Sequence, residues 1–208
     1  MNRLDYFCIP IILFFLAIII IGCEDNTPIS KSENNLAFSE LKLNTAETIE
    51  KWNQLLVLSD DARQFSTDIS LVPSVKKLDL ISGVNLHFNI YYLYEKDDIQ
   101  YLKSDYWASP KEFQTSKKGD CEDYAISKYY YIKQKGFIDP KDMWIVVVKI
   151  DNFNSKDNTT NHAVLLVRIG TEFYILDNRY MNVLSTKDIS EYKPIYYLNE
   201  YGLFFKSH

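Results

Sequence analysis

Positive charge is in short supply in this chain, whose 208 residues include 23 Lys and Arg against 28 Asp and Glu, for a net charge of -5. The basic residues are scattered among acidic ones, which excludes a broad basic surface and, with it, nucleic acid as a partner. Internal repeats and low-complexity tracts are missing too, and a hydrophobic content of 47% suffices to bury one core. We therefore predict a single domain with an N-terminal appendage.

Long apolar runs are also scarce, and the one near the N-terminus is Ile9–Ile21. Its 13 residues are short for a membrane-spanning helix, which needs about 20, but suit the apolar region of a signal peptide. The adjoining sequence Ile20-Ile21-Gly22-Cys23 resembles the lipobox of bacterial lipoproteins, in which the Cys becomes the lipidated first residue. We predict a signal peptide over residues 1–22 and a lipid anchor on Cys23, which places the domain outside the cytoplasm. An uncleaved anchor helix that starts at Leu4 is the alternative.

Cysteine is rare, and its three copies are predicted to have separate fates. Cys8 leaves with the signal peptide and Cys23 carries lipid, so the mature domain keeps Cys121 alone, without a partner for an intramolecular disulfide. An unpaired thiol in an oxidising compartment is a liability. A chemical role for Cys121 is therefore favoured over a packing role.

Cys121 lies in the segment Lys117–Tyr130, in which Gly119-Asp120 and a second acid, Asp123, precede a run rich in Ala, Ile, Tyr and Lys. This pattern predicts a turn that leads into a capped helix, with Cys121 at the helix N-terminus. Free backbone N–H groups and the positive end of the helix dipole favour an anion there, so we expect the thiolate form of Cys121 to be favoured. The alternative is a buried apolar Cys121 beside a simple capping pair.

The chain before this segment is predicted to contain a tether and two helical regions. Residues 23–35 are polar and are expected to form a flexible tether, so that the domain proper spans residues 36–208. Apolar residues recur at helical spacing from Phe38 to Phe65 and again from about Val75 to Tyr94. Each region is therefore predicted to supply amphipathic helix to the core.

The chain after this point changes from helical to strand patterning. Pro110 favours a short helix before the Cys121 helix, which is predicted to end near Gly136. The segments with strand composition are Met143–Ile150, His162–Ile169, Glu172–Asp177, Pro194–Leu198 and Leu203–Phe205. We expect the first three to form an antiparallel meander and the last two a hairpin, and helices followed by strands indicate an α+β fold. The 16 Tyr, 12 Phe and 3 Trp favour aromatic-lined surfaces able to hold an extended peptide.

A cysteine nucleophile needs a base and a third group that orients the base. Of the three histidines, His87 lies in a helical pattern and His208 is the last residue, which leaves His162 at the start of a strand. Asp177 closes the next strand and is expected on the same face as His162, within hydrogen-bonding reach across the hairpin. The alternatives are a polar edge residue for His162 and a strand-end turn residue for Asp177.

Three motifs in consistent order resemble the bacterial transglutaminase-like cysteine proteinases, whose best-known branch is the LapG type. They are Gly119-Asp120-Cys121-Glu122-Asp123-Tyr124-Ala125, Asn161-His162-Ala163-Val164-Leu165 and Leu176-Asp177-Asn178. The segments Trp107–Phe113 and Tyr196–Asn199 also look like that family. The resemblance covers about residues 75 to 205.

The resemblance implies a papain-like and transglutaminase-like α+β fold, in which the Cys helix packs on an antiparallel sheet that carries His and Asp. It implies Cys121 as nucleophile, His162 as general base and later general acid, and Asp177 as the orienting carboxylate. LapG-type members are periplasmic, calcium-dependent endopeptidases that cut a large surface adhesin near its N-terminus. A membrane receptor that senses cyclic di-GMP can hold them in check.

Calcium is the cofactor that this resemblance implies, bound beside the nucleophile by Asp120, Glu122 and Asp123. Calcium takes 6–8 oxygen ligands and favours clustered carboxylates. In a regular helix Glu122 points away from Asp120, so convergence requires Asp120 to lie outside the helix, at the cap position. The alternative is a capping pair of Asp120 and Asp123 with a solvated Glu122, and the residues alone favour it.

The sequence thus predicts a membrane-tethered periplasmic cysteine endopeptidase that cleaves an exported or surface protein, with a large adhesin as one candidate. Its predicted partners are that substrate, the membrane through the lipid anchor, and an inhibitory membrane receptor. One alternative is another acyl transfer on the same triad, such as transglutamination or amide hydrolysis of cell-wall peptide. The other is a binding lipoprotein without catalytic activity.

Overall fold

The structure is a computed structural model, and the residues that it describes are 45–59, 74, 76–151 and 159–205. They belong to one unit of the chain, Glu33–His208. Within these ranges no helix has the length and apolar character needed to cross a membrane. The predicted signal peptide, the lipidated Cys23 and the tether lie outside the described residues, so they stay predictions.

The helices are, in chain order, α1 (Thr45–Ser59), α2 (Lys77–Tyr91), α3 (Asp97–Gln100), α4 (Pro110–Ser116) and α5 (Cys121–Lys135), followed by a 3-10 turn (Pro140–Asp142). α1 and α2 fall within the two segments for which helical spacing predicts helix. The expectation of helix as far as Tyr94 is wrong. The backbone turns extended at Tyr92 (φ -119°, ψ 146°), and Leu93 and Tyr94 form a short strand instead.

Local capping sets the start of α4 and the end of α5, the helix that carries Cys121. Ser109 opens α4 with a capping box, since its Oγ accepts from the Glu112 N–H (3.3 Å) while Glu112 accepts from the Ser109 N–H (2.8 Å). Pro110 follows at the first helical position, where its missing N–H has no intrahelical partner to lose. α5 ends at Gly136, whose φ of 65° is the left-handed conformation that glycine adopts without strain.

The strands are β1 (Leu93–Tyr94), β2 (Lys118–Gly119), β3 (Met143–Asp151), β4 (Thr159–Ile169), β5 (Glu172–Leu176), β6 (Leu184–Ser185), β7 (Lys193–Asn199) and β8 (Gly202–Phe204). β1 and β2 pair in parallel, whereas β3 to β8 form an antiparallel sheet in the order β6-β5-β4-β3-β7-β8. The meander and the terminal hairpin are therefore confirmed. β4 begins earlier than predicted, because residues 159–161 pair with the end of β3.

The core lies between this sheet and the helices, and α5 runs through it. α5 packs on β3 and β4 on one side and on α2 and α4 on the other, so every residue from Asp123 to Ile132 is buried. A helix buried all round occupies the interior of a protein rather than its surface. Fully buried side chains such as Ile126 and Phe113 each contribute about 2 kcal/mol through the hydrophobic effect. This packing fixes the start of α5, and hence Cys121, against the sheet.

Candidate active site

Cys121 begins α5 and faces an open cavity of about 640 Å³. His162 of β4 and the aromatic side chains of Tyr94, Trp107 and Tyr196 line the same cavity. The helix start and the middle of the sheet thus bring the predicted nucleophile and the predicted base to one surface.

His162 and Asp177 are joined by a hydrogen bond between Nε2 of the imidazole and Oδ1 of the carboxylate, at 2.9 Å. The pairing of Leu165 with Leu176 gives the β4–β5 hairpin the register that a turn at Gly170-Thr171 predicts. Asp177 follows directly after β5 and reaches back along β4 to His162. Because Nε2 is engaged, Nδ1 remains as the ring nitrogen that can take a proton from the nucleophile.

Two residues that sequence reasoning missed hold the Asp177 carboxylate. Arg179 donates its backbone N–H to Oδ1 (2.7 Å) and its Nε to Oδ2 (3.3 Å), and the Tyr192 hydroxyl also donates to Oδ2. Burial acts to raise the pKa of Asp177, but the hydrogen bond and charge of His162, with the donors from Tyr192 and Arg179, outweigh it and lower the pKa to about 2. Asp177 therefore stays ionised and can orient the imidazole at any physiological pH.

The surroundings of Cys121 do not favour the thiolate that its position at the helix start predicts. The thiol donates to Oε2 of Glu122 at 3.1 Å. Burial, followed by the charges of Glu122 and Asp120, raises the pKa of Cys121, and the backbone N–H of Ala163 only partly opposes this rise. Burial and the neighbouring carboxylates together therefore outweigh the helix dipole, whose effect is typically below about 1 kcal/mol.

These carboxylates belong to an acidic cluster that the sequence revealed only in part. Its members are Asp97, Asp105, Asp120, Glu122 and Asp123. Oxygens of Asp97, Asp120 and Asp123 lie within 4.8 Å of one another, as do those of Asp97, Asp105 and Glu122. The three acids expected beside the nucleophile are therefore joined by two from the segment between β1 and α4, which no local pattern connects with Cys121.

The acidic cluster has the properties of a cation site. Burial raises the pKa of Asp97, Asp120 and Glu122, and charge repulsion between neighbouring carboxylates adds to the rise at Asp120. The Oδ1 atoms of Asp97 and Asp120 are buried without a hydrogen-bond partner, although buried polar atoms are normally satisfied. A hard cation with oxygen ligands would satisfy both atoms and offset the repulsion.

Asp123 has a structural role in addition to its place in the acidic cluster. Its Oδ1 accepts from the Ala108 N–H (2.8 Å) and its Oδ2 from the Asp120 N–H (3.3 Å). It therefore caps the start of α5 and ties this helix to the loop before α4. Gly119 makes room for it, since a Cβ at that position would lie 2.3 Å from Oδ2 of Asp123 and 2.8 Å from Phe113.

Comparison with known proteins agrees with this geometry. The profile of a family described as "Bacterial transglutaminase-like cysteine proteinase BTLCP" matches residues 59–198. Among solved structures, LapG of Legionella pneumophila is similar at 28% identity and a TM-score of 0.52, over 76% of this chain and 79% of LapG. Its calcium-bound form gives the same identity and score over 79% of this chain and 81% of LapG. An EGTA-treated form matches equally, over 76% and 77%. The comparison with curated proteins finds no match.

Proposed function

Because the chain belongs to the bacterial transglutaminase-like cysteine proteinases and is a cysteine peptidase, we propose that it is a membrane-tethered endopeptidase that cleaves an exported protein with a Cys121–His162–Asp177 triad. The observation that carries this proposal is that Cys121 and His162 line one cavity, while the fully buried Asp177 is hydrogen-bonded to His162 at 2.9 Å.

The reaction follows from the placement of these groups. Nδ1 of His162 takes the proton of the Cys121 thiol, and the thiolate attacks the carbonyl carbon of the substrate peptide bond. Backbone N–H groups at the start of α5, including that of Cys121, stabilise the oxyanion. His162 then donates its proton to the leaving amine, and an acyl-enzyme remains on Cys121. A water molecule that gives its proton to His162 hydrolyses the thioester and regenerates the thiol.

Calcium is the proposed cofactor, and the acidic cluster would hold it. Asp97 and Asp120 offer buried, unpartnered oxygens, while Asp105 and Glu122 add carboxylates nearby. The calcium-bound and EGTA-treated forms of LapG support this assignment. When bound, the ion would supply positive charge that offsets the repulsion beside Cys121.

The proposed substrate is an exported or surface protein, and a large adhesin is the first candidate to test because LapG-type proteinases act on one. The aromatic lining of Tyr94, Trp107 and Tyr196 supports binding of an extended peptide. Anchoring through a lipid on Cys23 and a periplasmic location rest on the sequence of the first 23 residues. An inhibitory membrane receptor is proposed on the family resemblance alone.

The test compares the secreted and surface proteomes of strains that carry the wild-type protein or Cys121→Ala. We expect at least one exported protein to remain uncut in the Cys121→Ala strain, and His162→Ala and Asp177→Asn to reduce its cleavage at least about a hundredfold. Cys8→Ala is the matched control, because it also removes a cysteine but lies in the predicted signal peptide. Identical proteomes in the wild-type and Cys121→Ala strains would refute the proposal.

A further inference from the structure

The interior beneath the active site holds two polar side chains for which the triad itself gives no reason. Asn85 of α2 and Lys128 of α5 are both 0% exposed. Burial of such groups is unfavourable unless they are hydrogen-bonded, and apolar residues of similar volume often stabilise a core at least as well. Their presence therefore calls for a role other than stability.

Asn85 contacts the loop that carries Asp177, and Lys128 contacts Asn85. Asn85 donates its Nδ2 to the backbone carbonyls of Tyr180 (2.9 Å) and Met181 (3.0 Å). One turn later on α2, Asn89 donates its Nδ2 to the carbonyls of Asp177 (2.7 Å) and Tyr180 (2.8 Å). Loop 177–181 is thus fastened along its length to the side of α2.

Lys128 determines which way the Asn85 amide points. Its Nζ donates to Oδ1 of Asn85 at 2.7 Å, so the oxygen of the amide faces α5 and the nitrogen faces the loop. Lys128 lies two helical turns after Cys121 on the same helix. The helix of the nucleophile and the loop of the orienting carboxylate are therefore connected through one buried amide.

The Tyr192 hydroxyl holds the Asp177 carboxylate from outside the loop, but neither its hydrogen bond nor that of Arg179 connects the loop with the helix of Cys121. Arg179 is part of the same loop and moves with it. The β4–β5 ladder ends at the pairing of Leu165 with Leu176, so Asp177 itself lies beyond the sheet hydrogen bonds. The hydrogen bonds from Asn85 and Asn89 of α2, with Lys128 of α5 behind Asn85, hold the loop where the β4–β5 ladder does not.

We propose that Asn85, Asn89 and Lys128 are positioning residues that hold loop 177–181 so that the Asp177 carboxylate stays in hydrogen-bonding register with His162. The inference deepens the proposed peptidase function and rests on it for its catalytic meaning. Its structural content, the coupling of three polar side chains to the His162–Asp177 hydrogen bond, can be measured without any substrate.

The experiment uses the full chain in a Cys121→Ala background and follows the downfield ring N–H proton of His162 by NMR. Asn89→Ala removes the two hydrogen bonds that Asn89 donates to the loop, at a partly exposed helix position where Ala favours the helix. We expect the proton to be lost or to exchange with water at least about tenfold faster than in the parent. Asn89→Asp, which has the same shape but cannot donate to carbonyls, should show the same loss or faster exchange of the His162 proton.

The matched control is Ser82→Ala, since Ser82 also lies on α2 but donates only to Leu78 of its own helix (2.7 Å). It should leave the His162 proton unchanged, and circular dichroism should show all variants folded. With the catalytic Cys121 restored, Asn89→Ala should lower kcat by about tenfold to a hundredfold on the exported protein that the proteome comparison reveals, with KM within about twofold.

Each outcome decides the proposal. Persistence of the His162 ring proton in folded Asn89→Ala and Asn89→Asp proteins would overturn the positioning role. If the wild-type protein cleaves nothing, the proposed peptidase function fails, while loss of the proton in these two variants still supports the positioning role. A fall in thermal stability with an unchanged proton would show that Asn89 is structural only.

Discussion

Replacement of Asp177 by Asn should remove a stabilisation that depends on pH. In the folded protein the pKa of this fully buried carboxyl is lowered from 3.8 to about 2. At about 1.36 kcal/mol for each pH unit, this lowering of the pKa corresponds to about 2 kcal/mol in favour of the folded state. Because the folded pKa is the lower one, this stabilisation is fully present above about pH 5 and is lost as the pH falls towards 2.

The assay is urea unfolding of the wild-type and Asp177→Asn proteins at about pH 7 and about pH 2.5. We expect the wild type to be more stable at the higher pH. The difference between the free energies of unfolding of the two proteins should be about 1.5 kcal/mol smaller at the lower pH. Groups that do not contact Asp177 contribute equally to both proteins, so the difference reports on Asp177 and its hydrogen-bonded partners. Asp188→Asn is the control, because the same change at an exposed residue should alter stability by less than about 0.5 kcal/mol at either pH. A wild-type advantage that is the same at both pH values would refute the reasoning.

Three further predictions concern the acidic cluster, the start of α5 and the N-terminus. EGTA should lower both cleavage and the melting temperature, with rescue by calcium but not by magnesium; unchanged values would exclude the cofactor. Gly119→Ala should lower the melting temperature by at least about 4 °C and reduce cleavage, because its Cβ would meet Asp123 at 2.3 Å; wild-type melting would show that Asp123 can move aside. Cys23→Ser should abolish labelling by radioactive palmitate and leave an immature precursor, whereas persistent label would contradict a lipoprotein.

Features that depend on neighbouring residues could be predicted from the sequence. The capped start of α5 follows from Gly119, Asp120 and Asp123, which lie within five positions. The register that brings Asp177 to His162 follows from the short turn between β4 and β5, because a tight hairpin leaves one alignment of its strands. The candidate triad was therefore accessible from the sequence through local rules and a resemblance.

Features that depend on the path of the chain could not be predicted. Asp97 and Asp105 join the acidic cluster because the segment between β1 and α4 folds over the start of α5, and nothing in their local sequence indicates it. Burial at that position also reversed the expected effect of the helix dipole on Cys121. Asn85 did leave a signal, since it lies on the face of α2 formed by the buried residues Ile81, Val84 and Phe88, where a polar residue needs a partner.

The central claim is that Cys121 forms an acyl-enzyme with a peptide main chain. Its most direct test is mass spectrometry of the Cys121-containing peptide after acid quenching of the protein mixed with its exported substrate. The account predicts a thioester to the C-terminal carbonyl of a substrate fragment on Cys121, and none in the Cys121→Ala protein. An unmodified Cys121 during active cleavage, or a thioester to the side chain of a glutamine, would contradict it.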